Sequence, residues 1–322
     1  MDYIRNVQEL SIIKSYAKSV TTIGSYKMNY LCRLIYVFFK LLFINTKNFD
    51  IIFVGFAPQL VIPIFHRKLR KKYIIEDFFI SLYDTCCFDR KYFEPTSRTG
   101  NFLYDLDKKT IASADFIISD TNAHKDYFVT EFHVNDSEKI HTLYLEADFS
   151  LIESTNDALI KKGPVPYEST DSQYHVLYFG SILPLQGVNI ILNAINILKY
   201  DKNIRFTIIG PLPKSIRLSA PRRDNITYIN WLSNDELYEY IRSADLCLAG
   251  HFSSDIAKAS RTIPGKAYIY QALNKPMILG DNSANHEIFT STEPNIFFVP
   301  MGNHIELAKL IHSIYLKEKS QS

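Results

Sequence analysis

The chain has 322 residues, with 47% hydrophobic and 22% charged positions and a formal net charge of +2. That length argues for two domains, and the apolar fraction is ample for two cores. The small net charge excludes a nucleic-acid binder defined by bulk charge. The four cysteines (Cys32, Cys86, Cys87, Cys247) show no metal-ligand spacing, and adjacent Cys86 and Cys87 cannot form an ordinary bridge to each other, which favours a reducing compartment over a disulfide scaffold.

The opening segment MDYIRNVQEL lacks the apolar core of a signal peptide. Residues 1–28 read as mixed helix and loop. Tyr30 to Ile44 (YLCRLIYVFFKLLFI) is the most apolar run. It is too short for a bilayer crossing, which needs about 20 residues. Arg33 and Lys40 share one helical stripe. Two readings follow: a nearly buried helix, or an amphipathic helix lying in a membrane interface. The basic run His66 to Tyr73 (HRKLRKKY) would suit anionic lipid or a solvated face. Strand-like segments then alternate with helix-like ones: Asp50–Gly55 and Tyr73–Asp77 as strands, Asn101–Ala114 as helix, Asp115–Ser119 as strand. That alternation predicts parallel βαβ units.

Residues 151–173 are polar, with Gly163, Pro164 and Pro166, and read as an interdomain linker region. The domains expected are 1–160 and 161–322. A second α/β set follows: strand Tyr174–Phe179, helix Val188–Leu198, strand Ile204–Ile209, short strand Ile226–Ile229 and a helix capped by Ser233, with Glu236 at the capping-box position. The stretch Asp245 to Glu287 carries a strand (Leu246–Ala249), a loop with Lys258, Arg261 and Lys266, a Pro-Gly helix entry, a helix through Ala272, and a strand (Met277–Leu279) ending in Gly280-Asp281. Cations and a helix N-terminus between two strands make an anion site at the carboxyl edge of a sheet. A strand (Ile296–Val299) and a helix (Ile305–Leu316) close the chain.

Several blocks resemble family 4 glycosyltransferases as an ordered set. They are VLYFGSILPLQGVNIILNAINIL (Val176–Leu198), DKNIRFTIIGPLP (Asp201–Pro213), SADLCLAG (Ser243–Gly250) and ASRTIPGKAYIYQALNKPMILGDNSANHE (Ala259–Glu287). In the first half, FDIIFVGF, FISLYDT and ADFIISDTNAHKDYF are similar to the partner domain of that family. The resemblance implies the GT-B architecture: α/β, two Rossmann-like domains with parallel sheets facing a cleft, acceptor side on the first and nucleotide sugar on the second. It implies a retaining, metal-independent hexosyltransferase with no cofactor beyond its nucleoside diphosphate sugar. It also implies a cytoplasmic enzyme making capsule, O-antigen, exopolysaccharide or glycolipid on a lipid-linked or glycan acceptor at the inner membrane face; on the interfacial reading of their residues, 30–44 and 66–73 are the segments that would meet that surface. No nucleic-acid partner is expected.

Transfer from such a donor requires neutralising the leaving diphosphate, by cations and backbone N–H groups where no metal does so. The resemblance puts Lys266 on the diphosphate, with Arg261 and Lys258 beside it. Gly180, Ser181 and Gly187 would let backbone amides approach the phosphates; ordinary turns are the alternative. Gly210, Trp231 and Leu232 would border the base, although Trp231 could equally be core. Asp281 and Glu287 complete the donor set. On the acceptor side stand Ser81, Asp84, Thr85, Asp120 and His124. Asp77, at a strand end, is the candidate near the transferred sugar, with helix capping as the alternative; Arg261 is the second catalytic candidate.

The chain departs from the family pattern. Arg261 and Ile269 stand where two glutamates are usual, and Gln186 replaces a basic residue. The first strand with its Gly-rich turn and the closing helices have no counterparts. The resemblance therefore implies a divergent, shortened member. A catalytically degenerate partner of an active transferase and a sugar-nucleotide epimerase stay open. Asp105-Leu106-Asp107 matches a two-aspartate metal signature but lies in a helix-like run, where residues two apart diverge, so no metal is expected there.

Overall fold

A computed structural model describes residues 4–24, 29–146 and 173–320. The chain divides into two compact units, Met1–Asp148 and Phe149–Ser322. The expected boundary at 160/161 and the linker read at 151–173, except residue 173, lie outside the described residues.

Unit 1 holds a four-stranded parallel sheet in the order β1-β2-β3-β4. Its strands are β1 (Ile51–Val54), β2 (Tyr73–Asp77), β3 (Phe116–Ser119) and β4 (Ile140–Thr142). The helices are α1 (Ile4–Tyr16), α2 (Tyr30–Phe43), α3 (Ile62–Leu69), α4 (Arg98–Ser113) and α5 (Asn122–Glu131). Asp115, just before β3, takes the Ile74 amide at 2.8 Å and so sets the β2–β3 pairing. The Ser97 side chain caps α4 and that of Thr121 caps α5. The core joins Ile62, Phe65 and Leu69 of α3 to Ile74, Phe78, Ile117 and Phe128.

The expectation of a nearly buried helix at 30–44 is corrected. In α2, Val37, Phe38 and Leu41 face the core, Phe38 against Phe65 at 5.6 Å. Leu31, Ile35, Phe39, Leu42 and Phe43 are 47–82% exposed. The apolar run serves two faces, and the core of unit 1 covers one.

Unit 2 holds six parallel strands in the order β10-β9-β8-β5-β6-β7. They are β5 (Tyr174–Phe179), β6 (Ile204–Ile209), β7 (Ile226–Ile229), β8 (Leu246–Gly250), β9 (Met277–Asp281) and β10 (Ile296–Pro300). The crossovers carry α6 (Val188–Leu198), α7 (Lys214–Ser219), α8 (Asn234–Ser243) and α9 (Gly265–Ala272), and α10 (His304–Lys319) follows β10. Central strands such as LCLAG are buried throughout, as strands covered on both faces must be. Val188, Ile191 and Ile195 of α6 share one core with Leu307, Ile311 and Ile314 of α10. Ser233 and Glu236 form the expected capping box on α8. Reading outward from β5, the strand order reverses between β5 and β8. Open α/β sheets form their ligand crevice at the carboxyl end of such a switch point.

Candidate functional site

Lys266 occupies that crevice in unit 2. It lies in the first turn of α9, after Pro264 at the N-cap, and is 7% exposed. Its Nζ donates to Gln186 Oε1 at 2.5 Å and stands 4.5 Å over the Tyr178 ring. No carboxylate pairs with it among the described residues. Burial alone pulls its pKa down to about 7. A buried ammonium without a counter-ion is an unfinished electrostatic arrangement that an anion completes.

The backbone around it is built for close approach. Gly180 ends β5 with φ +141°, and a Cβ there would stand 3.2 Å from Lys266 Nζ. Gly250 ends β8 with φ +76°, and a Cβ there would stand 2.7 Å from Gln186 Oε1. Only glycine suits both positions. Ser181 is exposed, and Gly187 opens α6 with no side-chain cap, its loop pressed against Phe252 and Ser253. A Cβ at Gly210 would collide with the Gly180 carbonyl, so the chain after β5 and the chain after β6 run close together there.

The other donor-side candidates line the same carboxyl edge. Trp231, just after β7, is 79% exposed, so the core alternative is corrected; Leu232 is partly covered. Lys258 and Arg261 lie half-buried on the 3₁₀ turn before α9. That turn is tied to the loop after β9, because Ser260 O accepts from Ser283 Oγ at 3.1 Å. Asp281 pairs with His286 at 2.7 Å on the surface, and Glu287 is half-buried at the end of a 3₁₀ turn. Ile269 lies half-buried on α9.

The sequence shows Gln186 as a turn residue beside Gly187 and as the replacement of a cation. The structure makes it the hydrogen-bond partner of Lys266. Sequence reasoning missed Tyr178, because an aromatic in an apolar strand reads as core, and His251. His251 follows β8, is buried, and its Nδ1 donates to the Thr262 carbonyl at 3.0 Å.

Unit 1 gathers its candidates differently. Asp77 is fully buried at the end of β2. Arg5 of α1 holds both its oxygens, with Nε at 2.9 Å from Oδ2 and Nη2 at 2.8 Å from Oδ1. The same guanidinium reaches the carbonyls of Leu143 at 2.9 Å and Ser119 at 3.3 Å. Asp77 is therefore neither a helix cap nor a carboxylate presented to a sugar: it fastens α1 across the carboxyl ends of β2, β3 and β4. The sequence gives Arg5 no flag, since a single arginine near the start of a chain has no motif. Glu9 joins this cluster, 3.5 Å from Arg5, and burial followed by the Asp77 charge pushes its pKa up to about 9.

Ser81 is likewise internal. Its Oγ donates to Asp107 Oδ2 at 2.7 Å and accepts from the Asp84 amide at 2.9 Å. Asp107 also takes the Tyr83 amide at 2.8 Å and Gln59 Nε2 at 3.0 Å, so this aspartate of the metal-like triplet organises the turn after β2. Asp84 is buried and Thr85 half-buried in the π-helical turn 84–89. Asp120 and His124 do come together, Oδ1 to Nδ1 at 2.6 Å, with His124 buried and Asp120 partly open. The described residues contain no group of three His, Cys, Asp or Glu able to hold a metal ion.

Residues 173–316 match the family model described as glycosyl transferases group 1. Unit 2 carries the pattern of that family. The group 1 match spans all six strands and the Lys266 crevice, and unit 1 lies outside it. No curated protein sequence matches the chain significantly.

Solved structures extend the likeness across both units. The structure of Anabaena HepE in complex with UDP-glucose is 13% identical, with a TM-score of 0.60 over 96% of this chain and 80% of that one. An E. coli structure titled trehalose-6-phosphate, bound with UDP-2-fluoro glucose, is 14% identical, with a TM-score of 0.61 over 88% of this chain and 69% of that one. A glycosyltransferase from Rickettsia africae is 13% identical, with a TM-score of 0.54 over 96% and 77%. At these identities the likeness is one of fold, and that fold is GT-B, as expected.

Proposed function

We propose that the chain is a glycosyltransferase using a nucleoside diphosphate sugar, with Lys266 on the diphosphate. The observation that carries this is a buried, carboxylate-free lysine at the switch point of a sheet matching the group 1 family. UDP or UDP-sugars in the HepE and E. coli structures support a nucleotide-sugar donor.

In this reading the bond from the sugar C1 to the β-phosphate oxygen breaks, and its electron pair passes to the diphosphate. Lys266, with backbone N–H groups around Gly180, Ser181 and Gly187, stabilises that charge. The acceptor hydroxyl attacks C1 on the face the leaving group vacates, retaining configuration, and its proton passes to the departing phosphate oxygen. No metal is required. Arg261 and Lys258 border the phosphates, Gly210, Trp231 and Leu232 the base, and Asp281 and Glu287 the remaining donor edge. Asp120 and His124 form the acceptor-side pair. The acceptor is lipid-linked or a growing surface polysaccharide, which puts the enzyme at the inner leaflet of a membrane.

A second reading has one specific observation in its favour. Arg261 and Ile269 stand where the family 4 resemblance implies acids, as they would in a non-catalytic partner of an active transferase. A donor screen with UDP- and GDP-sugars, read by slow hydrolysis, separates the two. Turnover supports the enzyme. Binding without turnover, or no binding at millimolar donor, rejects the enzyme and leaves the non-catalytic partner.

A further inference from the structure

We infer that the outward face of α2, joined to the basic end of α3, is a docking surface for an anionic phospholipid bilayer. Leu31, Ile35, Phe39, Leu42 and Phe43 cover an arc of roughly 120° at the helical repeat of about 100° per residue. Leu31 and Phe43 are 65% and 82% exposed. Among the described residues nothing covers this arc, while the other face of α2 is held by the core of unit 1.

The charge around the arc selects the occupant. Lys40 flanks it, with its Nζ 5.7 Å over the Tyr36 ring, and Arg33 shares its stripe. That is the geometry of a cation reaching from an apolar bed to a headgroup layer. On α3, Lys68 Nζ bonds the Leu41 and Leu42 carbonyls at 2.5 and 2.8 Å, so the basic helix end is fixed to the end of α2. Arg67, Arg70 and Lys71 are exposed beside it, as is Ile64. From Leu10 to Ile75 the sequence holds eleven lysines and arginines and one acid, Asp50. A net charge of +2 for the whole chain hides this local excess. Aliphatic and phenyl groups ringed by cations fit a bilayer of anionic lipid, where burial and counter-charge act together. They do not fit a nucleic acid, which offers no apolar depth. No helix among the described residues is long and apolar enough to cross a membrane, so the contact is made along the surface.

The inference rests on the membrane-bound acceptor proposed above only for which membrane is met. Its test is independent of the donor. The full chain is sedimented with vesicles of phosphatidylcholine alone or mixed with phosphatidylglycerol. Binding to the mixed vesicles only, weakened by salt, is expected. The double variant Phe39→Ser and Phe43→Ser removes exposed side chains and should lower partitioning roughly tenfold or more. Arg67→Glu with Lys71→Glu should erase the preference for the anionic lipid. Lys266→Met should sediment as the wild type does. Absence of binding to the mixed vesicles at low salt overturns the inference, as does unchanged binding by the serine variant. A dimer that the serine variant abolishes, without vesicle binding, overturns it in favour of a second copy.

Discussion

Lys266 and Gln186 meet at 2.5 Å in the crevice between β5 and β8, an ammonium donor against a neutral amide oxygen. The amide orients the lysine without neutralising it, so the charge stays available to a ligand. Gln186→Glu turns this into an internal ion pair, which makes the crevice electrically complete when empty. Donor affinity is then expected to fall roughly tenfold or more, and further than in Gln186→Leu, because a carboxylate would repel the diphosphate. Fluorescence or calorimetric titration of both variants checks the order. Equal affinities would mean that Lys266 does not meet the phosphates.

The lowered pKa of Lys266, about 7, gives donor binding a pH dependence. The empty site favours the neutral amine above pH 7, while a bound diphosphate favours the ammonium. Binding therefore takes up a proton, and affinity falls as pH rises through and beyond 7. A sugar nucleotide is the right probe, because its diphosphate diester does not titrate there. Titration at pH 8 in buffers of different ionisation enthalpy should show uptake approaching one proton, and Lys266→Arg should abolish it.

Asp77 separates a structural from a catalytic carboxylate. With Arg5 gripping both its oxygens inside unit 1, Asp77→Asn leaves a buried guanidinium under-compensated. A loss of about 3–5 kcal/mol in unfolding free energy is expected. Urea denaturation reads it directly. Lost turnover with an unshifted midpoint would instead restore Asp77 to the chemistry.

Much of unit 2 was legible because its strands are continuous apolar runs closed by Gly180, Gly210 and Gly250, each needed where backbones crowd a carboxyl edge. The place of Lys266 at the sheet's carboxyl edge was legible for a different reason: it follows a Pro-Gly helix entry between two apolar strands. Unit 1 was less so. Arg5 and Asp77 are 72 residues apart, and no local pattern announces a long-range ion pair. Gln186 looked like a loss because a sequence shows the charge that is absent, not the hydrogen bond that replaces it. The α2 run resisted assignment because hydropathy cannot tell an apolar face turned inward from one turned outward.

Glu76 supplies a stability test independent of function. It is fully buried in β2, and neither carboxyl oxygen has a hydrogen-bond partner among the described residues. Burial pushes its pKa up to about 8, against an ordinary value of 4.5. The bound proton therefore contributes stability that is complete below pH 4.5 and lost as pH rises through 8. Glu76→Gln should match the wild type near pH 5 and exceed it at pH 9 by roughly 1–4 kcal/mol. Parallel pH profiles of thermal unfolding would contradict this.

The most direct measurement is calorimetric titration of the wild type and Lys266→Met with UDP, GDP and their sugars. The account predicts that one nucleotide class binds the wild type, and that the variant binds it more weakly by about 1–3 kcal/mol, as expected for loss of a charge-assisted hydrogen bond. Unchanged affinity in the variant, or no binding to the wild type at millimolar nucleotide, would contradict a diphosphate site at Lys266.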